Sequence, residues 1–270
     1  MEDWHLEEAQ PKTENDLVHI CWCPTGPLMF LPIHAAGIYN ADGLASVSLA
    51  DVAISSYTPS LTALLNRPKQ SSAFKLLAVV QPNTPGANPL PGTIAELVCL
   101  QKHVPASSIH VLRGSDATTA EVLSGMDECS WVHLACHGVQ DGSDPLESGL
   151  LLQDGRLHLS KIIHKRIPHA EFAFLSACQT ATGDERRPEE AIHLAAGMLV
   201  AGYKGVIGTM WSIRDNDAPF IADKVYGQLL KDGQPSNVHP AAALHEAVQE
   251  LRKRNGSNFS SWVPFIYMGA

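Results

Sequence analysis

The 270-residue chain is short of positive charge, with 19 Lys and Arg against 28 Asp and Glu and a formal net charge of −9. That balance argues against a nucleic-acid binder, which needs a basic face. No apolar run is long enough to span a bilayer. The first residues, Met1-Glu2-Asp3-Trp4-His5, are acidic and carry no secretory pattern. Internal repeats and low-complexity blocks are lacking. Cysteines are few: Cys21, Cys23, Cys99, Cys129, Cys136 and Cys178 are scattered through mostly apolar stretches rather than spaced as a disulfide framework. They suit a reducing, cytoplasmic setting, with the nucleus left open, and no membrane partner is expected. Metal-ligand spacing is also missing. Cys21 and Cys23 alternate along a strand-like run and point apart. His133, Cys136 and His137 have no second pair to complete a site. No metal and no cofactor are therefore expected.

What is present is an ordinary globular composition, 45% hydrophobic, enough to bury a substantial core. Residues 1–16 are polar and read as a tail or linker remnant, leaving 17–270 as one domain. Leu17 to Cys23 is an apolar run ending at Pro24-Thr25-Gly26-Pro27, and Leu28–Leu31 reads as the return strand of a hairpin. Asp51–Leu65 has near-helical spacing, which Pro59 must open or break. The continuous run Lys75–Gln81 predicts a strand covered on both faces. After a Pro-rich loop from Pro82 to Pro91, Thr93–Val104 predicts a helix, with Thr93 as N-cap and Glu96 three residues on.

Further along, strands are predicted at Ile109–Leu112, Trp131–Cys136, Glu171–Ala177, Gly205–Met210 and Trp262–Met268. A small hairpin is predicted from Gly149–Leu152 and Arg156–Leu159. Helices are predicted at Thr118–Met126, Pro188–Ala201, Asp217–Leu230 and Pro240–Arg254. Strands alternating with helices imply an α/β fold, a largely parallel sheet with helices on both faces.

Ligands of such sheets lie at the carboxyl ends of strands. Two apolar runs end there in reactive side chains. Trp131-Val132-His133-Leu134-Ala135-Cys136-His137-Gly138 ends in an imidazole. Phe172-Ala173-Phe174-Leu175-Ser176-Ala177-Cys178-Gln179 ends in a thiol. Neighbouring strands would set the imidazole beside the thiol, as a nucleophile and its base require. Gly138 allows close backbone approach, and its N–H and that of Cys178 could both aim at a carbonyl oxygen. Taken singly, each residue has a plainer reading: Cys178 as a small buried hydrophobe, His137 as a hydrogen-bonded turn residue. Cys136 is expected on the opposite sheet face from His137, as a structural residue, and His133 is expected to be buried or hydrogen-bonded.

The runs HLACHG (133–138) and LSACQTATG (175–183) resemble the CHAT domain, a caspase-like family of the caspase/separase clan often found behind tetratricopeptide repeats. WCPTGPLMFLPIHAA (22–36), SYTPS (56–60), GLLL (149–152), AAGML (195–199), GYKGVIGTMW (202–211) and WVPF (262–265) resemble further segments of that family. The resemblance implies a caspase-like three-layer sandwich. It implies His137 as general base and acid, Cys178 as nucleophile and Gly138 as an oxyanion donor, acting on a protein or peptide substrate through an acyl-enzyme thioester.

Substrate preference is less legible. In several clan relatives an acidic residue two positions before the nucleophile selects basic side chains. Here that position is Ser176. Trp211, Ser212 and Asp215 could line a substrate pocket, while Asp215 and Asp217 could equally cap the helix that follows. Glu185-Arg186-Arg187 is a solvated loop, a substrate loop or a processing site. The family's repeats are absent from this sequence, so a regulatory repeat domain or partner protein is expected elsewhere. The alternative is a catalytically silent interaction module on the same fold.

Overall fold

The computed structural model describes residues 17–40, 45–65, 74–139, 141, 144–165, 167, 169–176, 191–256 and 258–269. In chain order the strands are β1 (Val18–Trp22), β2 (Gly37–Tyr39), β3 (Ala45–Ser48), β4 (Ala53–Tyr57), β5 (Leu76–Val80), β6 (Ile109–Arg113), β7 (Trp131–Ala135), β8 (His137–Val139), β9 (Gly149–Leu152), β10 (Gly155–His158), β11 (Phe172–Leu175), β12 (Gly205–Thr209), β13 (Leu230–Lys231), β14 (Gln234–Pro235) and β15 (Phe265–Gly269). The helices are α1 (Leu61–Leu65), α2 (Gly92–His103), α3 (Thr119–Glu128), α4 (Leu159–Lys165), α5 (Ala191–Ala201), α6 (Asp217–Leu229), α7 (Pro240–Asn255) and α8 (Phe259–Trp262). None of them is long and apolar enough to cross a membrane.

Eight strands form the central sheet in the order β1-β4-β15-β12-β11-β7-β5-β6. The five from β12 to β6 are mutually parallel. β15 runs antiparallel to β12 and parallel to β4, which pairs in parallel with β1. The sheet is therefore two parallel blocks joined at one antiparallel seam, and the expected mostly parallel α/β sandwich is what forms.

Strand alternation sorts the core into two layers. Leu76, Ala78, Trp131, Phe172 and Phe174 face α2, α6 and α7. Leu77, Val79, Val132, Leu134 and Leu175 face α3, α4 and α5. β5 and β7 are buried along their whole length, which is why their sequences are continuously apolar.

Several expectations are corrected. Leu28–Leu31 is not a return strand: Gly26–Phe30 is a 3-10 turn with Pro27 in its first positions, because proline fixes φ and lacks the N–H a ladder needs. β1 instead finds its partner in β4. Asp51–Leu65 is not one helix but β4 followed by the short α1. Its β-branched and aromatic residues pair beside β1 before Pro59 interrupts the strand. The N-cap of α2 is Pro91 rather than Thr93, and the Thr93 hydroxyl donates back to the Leu90 carbonyl at 2.8 Å. The final segment divides into α8 and β15 rather than one strand from Trp262. The β2–β3 and β13–β14 hairpins are additions to the expected elements, and β13–β14 turns on Asp232-Gly233, both at positive φ, a pair that suits a tight two-residue hairpin.

Candidate active site

The carboxyl ends of β5, β7, β11 and β12 lie along one edge of the parallel block. In register, Leu76 and Phe172 flank Trp131, and Ala78 and Phe174 flank His133. The ladder continues past the strand ends: Gln81 N–H donates to the Ala135 carbonyl at 2.9 Å and Ser176 N–H to the Leu134 carbonyl at 3.0 Å.

β7 does not run straight into His137. The chain bends at Cys136, and His137 opens β8, which pairs with β9 in a second, three-stranded sheet with β10. This corrects the expectation of a single run ending in the imidazole. The bend moves His137 off the main ladder while leaving it at the same edge. Its ring is 1% exposed and its Nε2 lies 2.7 Å from the Asn88 carbonyl, in the loop between β5 and α2. A carbonyl only accepts, so Nε2 carries the hydrogen. The lone pair of the neutral ring is then on Nδ1, which defines the basic nitrogen. Gly138 follows, buried and in register with Leu150.

Cys178 and Gln179 lie outside the described residues, as do Glu185, Arg186 and Arg187. The chain is described up to Ser176, two residues short of the thiol. Ser176 is 5% exposed and turned inward. Its hydroxyl donates to Glu96 Oε1 at 2.9 Å. The other carboxylate oxygen of Glu96 accepts from His133 Nε2 at 3.0 Å, and His133 Nδ1 meets the Tyr226 hydroxyl at 3.3 Å. Glu96 and His133 are 2% and 0% exposed. His133 is thus buried and hydrogen-bonded, as expected, and Cys136 packs in the core layer on the other side of the sheet from His133. Glu96 is the residue that sequence reasoning missed. As a local pattern with Thr93 it reads as a helix-start signal, although its spacing from Thr93 and Leu100 places it on the buried face of α2.

The remaining predicted residues gather after β12. Trp211 is partly buried and packs against both core layers. Ser212 is exposed. The Asp215 carboxylate accepts the Gly92 N–H at 2.6 Å, so it caps the start of α2 rather than the helix that follows it. A Cβ on Gly92 would stand 2.6 Å from Asp215 Oδ1, and the close approach depends on glycine there. Asp217 accepts from the Ser261 hydroxyl at 2.7 Å and from Asn255 at 3.4 Å, which ties α6 to the α7–α8 connection. His137, Ser176 and Trp211 therefore follow three strands at one sheet edge, and Asp215 joins them by way of α2.

This architecture is that of caspase-like cysteine peptidases. It superposes on gingipain R, an Arg-specific cysteine proteinase, with a TM-score of 0.60 and 11% identity, covering 94% of this chain and 63% of that one. The Porphyromonas gingivalis complex of RgpB pro- and mature domains gives 0.60 and 11%, covering 94% and 64%. The Saccharomyces cerevisiae separase–securin complex gives 0.54 and 16%, covering 82% of this chain and 14% of that one. At such identities the likeness is one of fold. The sequence profile of the CHAT domain matches residues 2–270, and the chain belongs to that family. No curated protein matches.

Proposed function

We propose that this chain is a cysteine endopeptidase in which His137 serves Cys178 as base and then as acid. The observation that carries the reading is the bond from His137 Nε2 to the Asn88 carbonyl. It fixes the ring's tautomer and aim, the role an orienting acceptor plays in nucleophile–base pairs. Leu134 and Leu175 are register partners, so the segments that lead to His137 and Cys178 leave neighbouring strand ends.

In the proposed reaction the Cys178 proton passes to His137 Nδ1 and the thiolate attacks the peptide carbonyl. The Gly138 and Cys178 N–H groups stabilise the oxyanion. The C–N bond breaks as His137 hands the proton to the leaving amine, giving a thioester. Water, deprotonated by His137, cleaves the thioester, releases the acid and restores the thiol. Control by a repeat domain or partner protein belongs to this proposal and predicts a gain of peptidase activity when that partner is added.

The test is iodoacetamide labelling followed by peptide mapping, alongside a peptide-library cleavage assay. Selective labelling of Cys178, lost in His137→Ala, together with cleavage that is lost in Cys178→Ala, supports the proposal. A folded chain whose Cys178 labels no faster than exposed Cys21 and Cys23, and which cuts nothing, favours the silent interaction module.

A further inference from the structure

The buried Glu96 network lies under the strand that leads into Cys178, and nothing in the proposed chemistry uses it. Glu96 stands on α2 among inward-facing apolar residues, with Leu97 and Leu100 beside it. A leucine or methionine there would bury without a desolvation cost, whereas a carboxylate must be matched by donors. Glu96 is matched on both oxygens, by Ser176 from β11's extension and by His133 from β7. These are the two strands that lead to Cys178 and His137. The helix that carries Glu96 begins four residues after Asn88, whose carbonyl holds the His137 ring. One piece of chain, the β5–α2 loop with the first turns of α2, therefore touches His137 itself and Ser176, which stands two positions before Cys178 in sequence. Asp215 on Gly92 holds the start of α2, and Asp223, which takes His103 Nε2–H at 3.0 Å and Lys102 Nζ at 3.4 Å, holds its last turn.

We propose that Glu96 is a positioning residue: by holding the Ser176 hydroxyl it sets the end of β11, and with it the place of Cys178 relative to His137. The inference rests on the peptidase reading. The bond is buried and satisfied at both ends, which favours a single geometry for Ser176, the residue two positions before Cys178 in sequence.

The experiment compares iodoacetamide labelling rates at Cys178, in the intact chain, with those of the exposed Cys21 and Cys23 as internal references. Ser176→Ala and Glu96→Met, which has no oxygen to accept the hydroxyl, are each expected to slow Cys178 about tenfold, a loss in keeping with a small misplacement of a reacting group. The double variant should be no slower than either single one, since both break the same link. Ser176→Thr, which keeps the hydroxyl, should restore the rate. Cys129 and Cys136, both 0% exposed, should stay protected throughout, which separates misplacement from unfolding. Wild-type rates in the folded Ser176→Ala and Glu96→Met variants, additive losses, or a Ser176→Thr variant as slow as Ser176→Ala would each overturn the proposal. A wild-type Cys178 no more reactive than Cys21 overturns the peptidase reading and this inference with it. A reactive, His137-dependent Cys178 that ignores Glu96 overturns this inference alone.

Discussion

His137 donates its Nε2–H to the backbone carbonyl of Asn88 at 2.7 Å, across 49 residues of chain. A backbone acceptor cannot be deleted by mutation, yet its place depends on a loop bounded by Pro82 and Pro91 and anchored by the Leu90 N–H to the Pro82 carbonyl at 2.8 Å. On the proposed mechanism, replacing the ring removes the base outright. His137→Ala is expected to lower the Cys178 alkylation rate at neutral pH by about 10²-fold or more, the lower end of what general base catalysis contributes. Pro89→Gly should give a smaller loss by loosening the loop that presents the carbonyl. Rates followed by intact-mass spectrometry check both.

Gly92 and Asp215 make a second prediction. The Asp215 carboxylate lies against the first residue of α2, where an added Cβ would meet both its backbone and its side chain. Gly92→Ala must push the segment after Trp211 away and break the 2.6 Å bond. The expected cost is roughly 1–3 kcal/mol, the range for forcing atoms into a packed site. Urea denaturation checks it. An unchanged midpoint would mean that the segment after β12 yields freely.

How legible these features were depended on whether the controlling contact was local. The apolar runs of β5, β7 and β11 carry their own signal, since burial on both faces removes polar residues from the sequence. The strand-end placement of His137 followed from them, and only its bend at Cys136 did not. Leu28–Leu31 looked like a strand because its composition is apolar, but Pro27 decided the local geometry. Asp51–Leu65 reads as helical because its spacing is ambiguous, and β1, 35 residues earlier in register, decides in favour of a strand. Glu96 shows the same limit at the site. Its partners Ser176 and His133 lie 80 and 37 residues away. A local capping pattern offered a plausible use for the side chain, although the periodicity of α2 already put a carboxylate on the buried face.

The Glu96–His133 pair also predicts a stability effect apart from any chemistry. Glu96→Ala leaves His133 Nε2 and the Ser176 hydroxyl without their acceptor in a site closed to water. Breaking a buried pair from one side costs about 3–5 kcal/mol. Converting Glu96 and His133 together to apolar residues of similar size, in a Ser176→Ala, Tyr226→Phe background that removes their remaining hydroxyl partners, should cost less than Glu96→Ala alone, because no orphaned buried polar group remains. Equilibrium unfolding of the single and combined variants checks the order. A combined variant less stable than the single one would contradict the account.

His34 gives the chain a pH dependence that can be assigned a sign. Its Nε2–H donates to the Val263 carbonyl at 2.8 Å and its Nδ1 accepts from the Tyr57 hydroxyl at 2.7 Å, so the ring is held neutral between two fixed partners. Burial lowers its pKa to about 4, against a smaller opposing effect of the Val263 carbonyl. The unfolded chain, with an ordinary histidine near 6.5, therefore binds a proton that the folded chain refuses between those values. Stability rises with pH wherever the unfolded state holds more protons. The His34 contribution is thus complete above pH 6.5, declines as pH falls towards 4, and changes no further below that. A shift of this size corresponds to at most about 3 kcal/mol. Urea denaturation between pH 7.5 and 4 should show the decline, and His34→Gln, which has no proton to gain, should flatten it by that amount. An equal slope in the variant would assign the acid sensitivity to other groups.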